Sequence, residues 1–293
     1  MASSIPGFES AELAPAALLP GAGWSPLRGM LMRPAGLAGL ILLTLLIAVG
    51  AVAPLLTGLD PAAVTGPSLA GPSAAHIMGT DAIGRDLFSG IVFGTRSSLL
   101  IAISVGLVSA ICGLAIGMSA GFFGGAADDI LMHVTEAFQV LPRFFLVAIV
   151  IALFGPGLDR LIIILGLTSW PVLARVVRGE VLATKQLDYV LASVALGASR
   201  FHVFRYVLVP QVLPGALVLV GLIMGQVLLI EASLGFIGLG DPNVVTWGIL
   251  AGRAQGLFRA GWWLAVFPGI AITSGVLAFN LTADALSARL QGR

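Results

Sequence analysis

Charged residues divide the chain into long uncharged intervals. Arg33 to Asp60 encloses 26 uncharged residues, Arg96 to Asp128 encloses 31, Arg205 to Glu231 encloses 25 and Arg259 to Asp284 encloses 24. A bilayer crossing takes about 20 apolar residues, and an ionic group in hydrocarbon costs several kcal/mol, so each of these intervals predicts a transmembrane helix. Two shorter intervals, 15 residues from Arg143 to Asp159 and 14 from Arg160 to Arg175, cross only if their polar ends are included. For the first, His133, Glu136, Gln139 and Arg143 recur at helical steps and share one face, so the helix can extend backwards. An amphipathic segment over 129–143 followed by a re-entrant hairpin is the alternative. The predicted fold class is an all-α polytopic membrane protein with six transmembrane helices.

Composition agrees: 58% of the 293 residues are hydrophobic and 10% charged, with a mean hydropathy of +1.05, against roughly 25% charged in a soluble domain. The formal charge of +1 offers no footprint for nucleic acid. With six crossings and the N-terminus inside, ten of the 15 basic residues fall on the cytosolic side, which favours an N-in, C-in orientation.

The predicted organisation is a flexible cytosolic tail over 1–33, a first transmembrane helix over 34–58 and an extracytoplasmic segment over 59–92. A five-helix core over 93–286 follows, with a cytosolic loop at 176–206, and then a cytosolic tail over 287–293. Residues 231–259 combine apolar side chains with Gly235, Gly238, Gly240 and Pro242, and predict a re-entrant or interfacial structure.

Three segments invite function. The extracytoplasmic one carries Gly79, Thr80, Asp81, Gly84, Arg85 and Asp86. The cytosolic loop contains a helix-competent run with Asp188 as a candidate N-cap and Gly197 as a stop. Such a helix either seats in a groove on a soluble partner or rests on lipid headgroups. Glu231, after 25 uncharged residues, is either an interface carboxylate or a gate. Lys185, the single lysine, has no phosphate-loop context, so ATP is not bound by that route. His76, His133 and His202 are too dispersed for a metal. No catalytic residues are identified, and no cofactor is expected in the chain.

In that loop Leu191-Ala192-Ser193, Gly197, Val207 and Val209-Pro210 match the spacing of the loop motif of binding-protein-dependent ABC importer permeases, with Leu191 at the usual acidic position. The segment from His76 to Ser89, Gly94-Thr95-Arg96, Gly121-Phe-Phe-Gly-Gly, Arg178-Gly-Glu-Val-Leu and Glu231-Ala-Ser-Leu-Gly-Phe-Ile-Gly-Leu-Gly resemble the dipeptide/oligopeptide/nickel subfamily. The resemblance covers most of the chain, from about Arg33 to Asp284. It implies a type I-like permease fold in a bacterial inner membrane. It also implies a second homologous permease, two cytosolic ATP-binding subunits that hold ATP and Mg, and an extracytoplasmic solute-binding protein. Asp188, Tyr189, Ala192, Ser193, Gly197, Ser199 and Arg200 then become the ATPase-coupling residues. The implied solute is a di- or oligopeptide, with a nickel complex or a glutathione-like peptide as alternatives. Composition alone leaves open a proton-coupled secondary transporter or a structural scaffold.

Overall fold

The computed structural model describes residues 34–140 and 142–290, with side chains described to 287. The predicted N-terminal tail lies outside these residues. Ten helices follow one another among the described residues. They are α1 (Pro34–Ala51), α2 (Ala53–Thr57), α3 (Leu87–Phe123), α4 (Gly125–Ala137), α5 (Arg143–Phe154), α6 (Leu158–Lys185), α7 (Asp188–Ala195), α8 (Arg200–Phe236), α9 (Trp247–Gly252) and α10 (Trp263–Leu290). Five of them, α1, α3, α6, α8 and α10, are long and apolar enough to cross a membrane.

The third predicted crossing differs. A continuous helix through His133, Glu136, Gln139 and Arg143 does not form: α4 ends at Ala137 and α5 restarts at Arg143 behind Pro142. Proline lacks an N–H and disfavours helical geometry in the residue before it, so the run is broken there. The 12 residues of α5 reach only about 18 Å, too short to cross alone. The chain must nevertheless return across the molecule at this point, because α3 and α6 are parallel. Gly113, Gly117 and Gly121 of α3 face Leu173, Val177 and Val181 of α6 in the same order along both helices. Helices α4 and α5 therefore form one broken return, and the crossing order of a six-pass chain is preserved.

The α3–α6 pair is the most extensive packing in the molecule. Its closeness depends on glycine. A Cβ on Gly117 would collide with the Ala174 carbonyl and stand 2.8 Å from Val177 Cβ. In a lipid-facing bundle this intimate backbone approach, rather than water exclusion, supplies the association energy. The opposite face of α3 presents Leu100, Ile103, Leu107 and Ile111, all exposed, at the steps of a single helical stripe. The principal core gathers Ile101 and Val105 of α3, Val147 and Ile151 of α5, Leu165, Leu173 and Val177 of α6, and Val212, Val220 and Val227 of α8.

Two expected boundaries move. Helix α6 runs on through Arg175 and Arg178 to Lys185, and α8 resumes at Arg200 with a π-helical stretch over Val203–Leu208. The expected loop 176–206 is therefore mostly helix, and only 186–199 lies between α6 and α8. At the other end α10 continues to Leu290, into the expected tail over 287–293. The apolar segment after Glu231 turns back at 237–246 and packs α9 against α8 and α10, a compact hairpin of the kind its Gly and Pro content predicts.

Candidate functional site

The loop between α6 and α8 holds the docking candidate. Helix α7 carries Asp188 in its first turn, but the N-cap is Leu187 and no side chain caps the helix, so the expected capping role of Asp188 is not realised. The stop is as expected. Gly197 takes φ +90°, its N–H donates to Val194 O and the next N–H, of Ala198, donates to Ser193 O, both at 3.0 Å, a closure that satisfies the last carbonyls of the helix. Ser199 then caps the following turn, accepting from His202 N at 3.2 Å. Val190, 2% exposed, pins α7 to the core. Tyr189, Leu191, Ala192 and Val194 are exposed, and Leu196 is 89% exposed. Ser193 is partly buried and its hydroxyl donates to Tyr189 O at 2.8 Å, which spends it inside the helix. Arg200 is exposed. The result is a short rigid helix held by one apolar pin and showing an apolar edge outward.

At the opposite end of the bundle, the residues Gly79 to Asp86 form a knot. Thr80 is fully buried; its hydroxyl donates to Pro67 O at 2.6 Å and accepts from Ala70 N at 2.9 Å. The Thr80 carbonyl accepts from Trp263 Nε1 of α10 at 3.1 Å. Asp81 Oδ1 accepts from the N–H groups of Ile83 and Arg85, both at 3.0 Å, and Oδ2 from Arg85 Nε at 2.7 Å. Arg253 Nη1, from the turn between α9 and α10, stands 3.6 Å from the same oxygen. Burial works to raise the Asp81 carboxyl, but the Arg85 N–H and guanidinium and the Ile83 N–H outweigh it and hold it below the usual carboxylate range. Arg253 is pulled down by burial and then by the Arg85 charge, with Asp81 acting in the opposite sense. Asp86 caps α3, accepting from Ser89 N at 2.8 Å, and pairs with His76 Nδ1 at 2.9 Å. The turn is left-handed at Gly79 (φ +79°) and at Gly84 (φ +87°). A Cβ at Gly79 would stand 2.7 Å from Ala70 O and 2.8 Å from the Trp263 indole nitrogen. The motif thus starts α3 and staples the segment between α2 and α3 to α10.

Glu231 is a buried carboxylate of the membrane-spanning helix α8. It is 3% exposed inside α8, with the Ser98 hydroxyl of α3 at 3.5 Å. Ser98 in turn accepts from Trp247 N at 3.2 Å. One carboxylate therefore joins α3, α8 and the hairpin helix α9. Ser98, Asp128 and Arg253 lie outside the expected site residues; their partners Glu231, Arg178 and Asp81 stand in distant segments, and no spacing signal marks such pairs.

Similarity to known proteins accords with this geometry. The family model described as the inner membrane component of binding-protein-dependent transport systems matches residues 113–293. The dipeptide transport system permease protein DppC of Bacillus subtilis is 35% identical over 256 residues, covering 85% of this chain and 79% of that protein. The di/tripeptide transport system permease protein DppC of Pseudomonas aeruginosa is 33% identical over 258 residues, covering 85% of each. The glutathione transport system permease protein GsiD of Pectobacterium atrosepticum is 37% identical over 218 residues, covering 74% of this chain and 72% of that protein. The chain belongs to the family of inner membrane permease components of binding-protein-dependent ABC importers, multi-pass proteins whose ATPase resides in separate subunits.

Proposed function

We propose that the chain is one half of the pore of an importer for di- or oligopeptides, working by alternating access. The relatives named for dipeptide and di/tripeptide transport, matched over 85% of this chain, carry the substrate reading. In the proposed assembly a second, homologous permease completes the pore. Two cytosolic subunits bind ATP and Mg, and an extracytoplasmic solute-binding protein delivers the peptide. Both termini face the cytosol. ATP closes the two ATP-binding subunits on each other, α7 moves with the groove it occupies, and the bundle rocks to open outward.

The coupling surface is assigned to Asp188, Tyr189, Ala192, Ser193, Gly197, Ser199 and Arg200. What supports this is the combination at α7 of a single buried pin, Val190, with an exposed apolar edge at Leu191, Val194 and Leu196. A helix resting on headgroups would suit the same edge, so the test is contact. A cysteine at position 192 of the reconstituted complex is expected to crosslink to an ATPase subunit, and its absence would return α7 to a lipid-surface connector. The extracytoplasmic residues Gly79, Thr80, Asp81, Gly84, Arg85 and Asp86 are assigned an architectural role, because their polar atoms are turned onto one another.

A glutathione solute is the second reading, favoured by the 37% identity to a glutathione permease component. Competition decides between them: in proteoliposomes with the matching binding protein, alanyl-alanine uptake that glutathione does not reduce supports the dipeptide reading. Uptake of glutathione alone would replace it.

A further inference from the structure

Lys185 is the single lysine of the chain, and it is the last residue of α6, three positions before α7 begins. Its ammonium donates to the carbonyls of Gly121 and Phe122, both at 3.1 Å. These belong to the last turn of α3, where carbonyls lack a partner farther along the helix and where the helix dipole favours a cation. Seven residues earlier on the same face of α6, Arg178 grips Asp128 of α4 through two bonds, at 2.5 and 2.6 Å. The other root of the docking loop reaches the same place. Phe204, at the start of α8, packs edge-on against Phe122 with ring centroids 4.9 Å apart. The chain entering and the chain leaving the docking loop are thus both fastened to the cytosolic end of α3. The far half of α3 carries Ser98, which joins it to Glu231 of α8 and Trp247 of α9.

We infer that Lys185 is a positioning residue for transport: it locks the root of α7 to the end of α3, so that displacement of the docking helix is delivered along α3 to the junction with α8 and α9. The inference rests on the docking reading of α7. A salt-tolerant cap would stabilise α3 and nothing more. A transmission role affects how much solute moves per ATP consumed, which capping alone leaves unchanged.

The experiment uses the whole complex in proteoliposomes with its binding protein and alanyl-alanine, comparing wild type with Lys185→Met, Lys185→Gln and Lys185→Arg at matched assembled protein. Uptake per ATP hydrolysed is expected to fall roughly threefold to tenfold in Lys185→Met, with ATP hydrolysis retained and the crosslink from position 192 intact. Lys185→Arg, which keeps charge and donors, restores most of the ratio. A wild-type ratio in Lys185→Met overturns the inference. If Lys185→Met does not assemble, Lys185→Gln decides: a lowered ratio supports the role and an unchanged ratio removes it. Failure of the crosslink in the wild-type complex is a different result, which overturns the docking reading and this inference with it.

Discussion

Arg253 of the turn before α10 stands 3.6 Å from the Asp81 carboxylate of the segment between α2 and α3, which Arg85 already holds at 2.7 Å. Two guanidinium groups therefore share one buried carboxylate, and the segment is tied to the turn between α9 and α10 through it. Burial opposes ionisation of Asp81, yet the donors around it hold its carboxyl below the ordinary value of 3.8. A carboxyl lowered in the folded state contributes stability that is complete above 3.8 and is lost as the pH falls through its lowered value. Asp81→Asn is expected to lower stability at neutral pH by about 1–3 kcal/mol, because it strips a charged partner from two arginines. It should also flatten the loss of stability on acidification. Thermal unfolding of the purified chain in detergent at neutral pH and near the carboxylate range measures both. An acid dependence equal to that of the wild type would mean that the Asp81 knot does not set it.

Gly117 gives a second test, at the centre of the closest helix pair. Its missing side chain lets α3 approach the Ala174 carbonyl and Val177 of α6. Gly117→Val must either separate the two helices or displace that backbone, at a cost of about 1–3 kcal/mol or more. The expected outcome is a lower yield of assembled complex, with the residual complex unfolding at lower temperature. Gly179, also in α6, has open space around it, and Gly179→Ala is the matched control, expected to be neutral. Normal assembly of Gly117→Val would show that the α3–α6 contact is looser than its geometry states.

Much of the architecture was readable from the charges, and the misses have physical causes. Intervals free of charge located four of the long helices because hydrocarbon rejects ionic groups regardless of what else packs nearby. The same signal misjudged where α6 ends. Arg175 and Arg178 mark the edge of the apolar zone, whereas the helix continues to Lys185, since a helix in water needs only its own hydrogen bonds and packing. The face shared by His133, Glu136, Gln139 and Arg143 was a real periodicity, but Pro142 carries a local veto on helix that a periodicity count does not weigh. At the site, the stop at Gly197 was legible because its chemistry is local. The partners of Glu231 and Asp128, and the distant Arg253 beside Asp81, were not. Ser98 and Glu231 are 133 positions apart, and Arg178 and Asp128 are 50 apart; only the assembled bundle brings them together.

Glu231 yields a prediction on the interior junction. The Ser98 hydroxyl donates to the Glu231 carboxylate and accepts from Trp247 N, so its loss strands a buried N–H and removes a donor from the carboxylate. Ser98→Ala is expected to destabilise by about 1–3 kcal/mol. Glu231→Gln keeps the shape and an acceptor oxygen toward the Ser98 hydroxyl, and transport is expected to stay within about twofold of wild type, because a matched replacement avoids leaving that hydroxyl unsatisfied. Thermal unfolding and dipeptide uptake are compared at equal amounts of assembled complex. A large loss of uptake in Glu231→Gln at normal assembly and stability would instead make the carboxylate itself a participant in the solute path.

Helix α7 carries the remaining prediction. Gly197 sits at φ +90° with nothing within 4 Å of where a Cβ would be, so the obstacle to a side chain there is conformational rather than steric. A β-branched residue disfavours that backbone by roughly 1 kcal/mol or more, enough to reopen the Ala198–Ser193 closure and let the end of α7 fray. Ala192 presents the complementary case. It is exposed on α7, so Ala192→Trp leaves this chain's own packing intact and instead adds bulk to the surface assigned to the ATPase. The two variants test the same surface in different ways, one through the helix's own geometry and one through added bulk. Both are expected to insert normally, because neither position lies in a long apolar segment, and both are expected to retain ATP hydrolysis while losing most of the solute uptake it drives. The measurement is uptake and ATP hydrolysis in the same proteoliposomes, with protease accessibility of the chain as the check on insertion. Full uptake in both variants would show that 186–199 is only a connector and that force enters the bundle elsewhere. Loss in Gly197→Val alone would place the requirement in the helix end rather than in the apolar edge beside it.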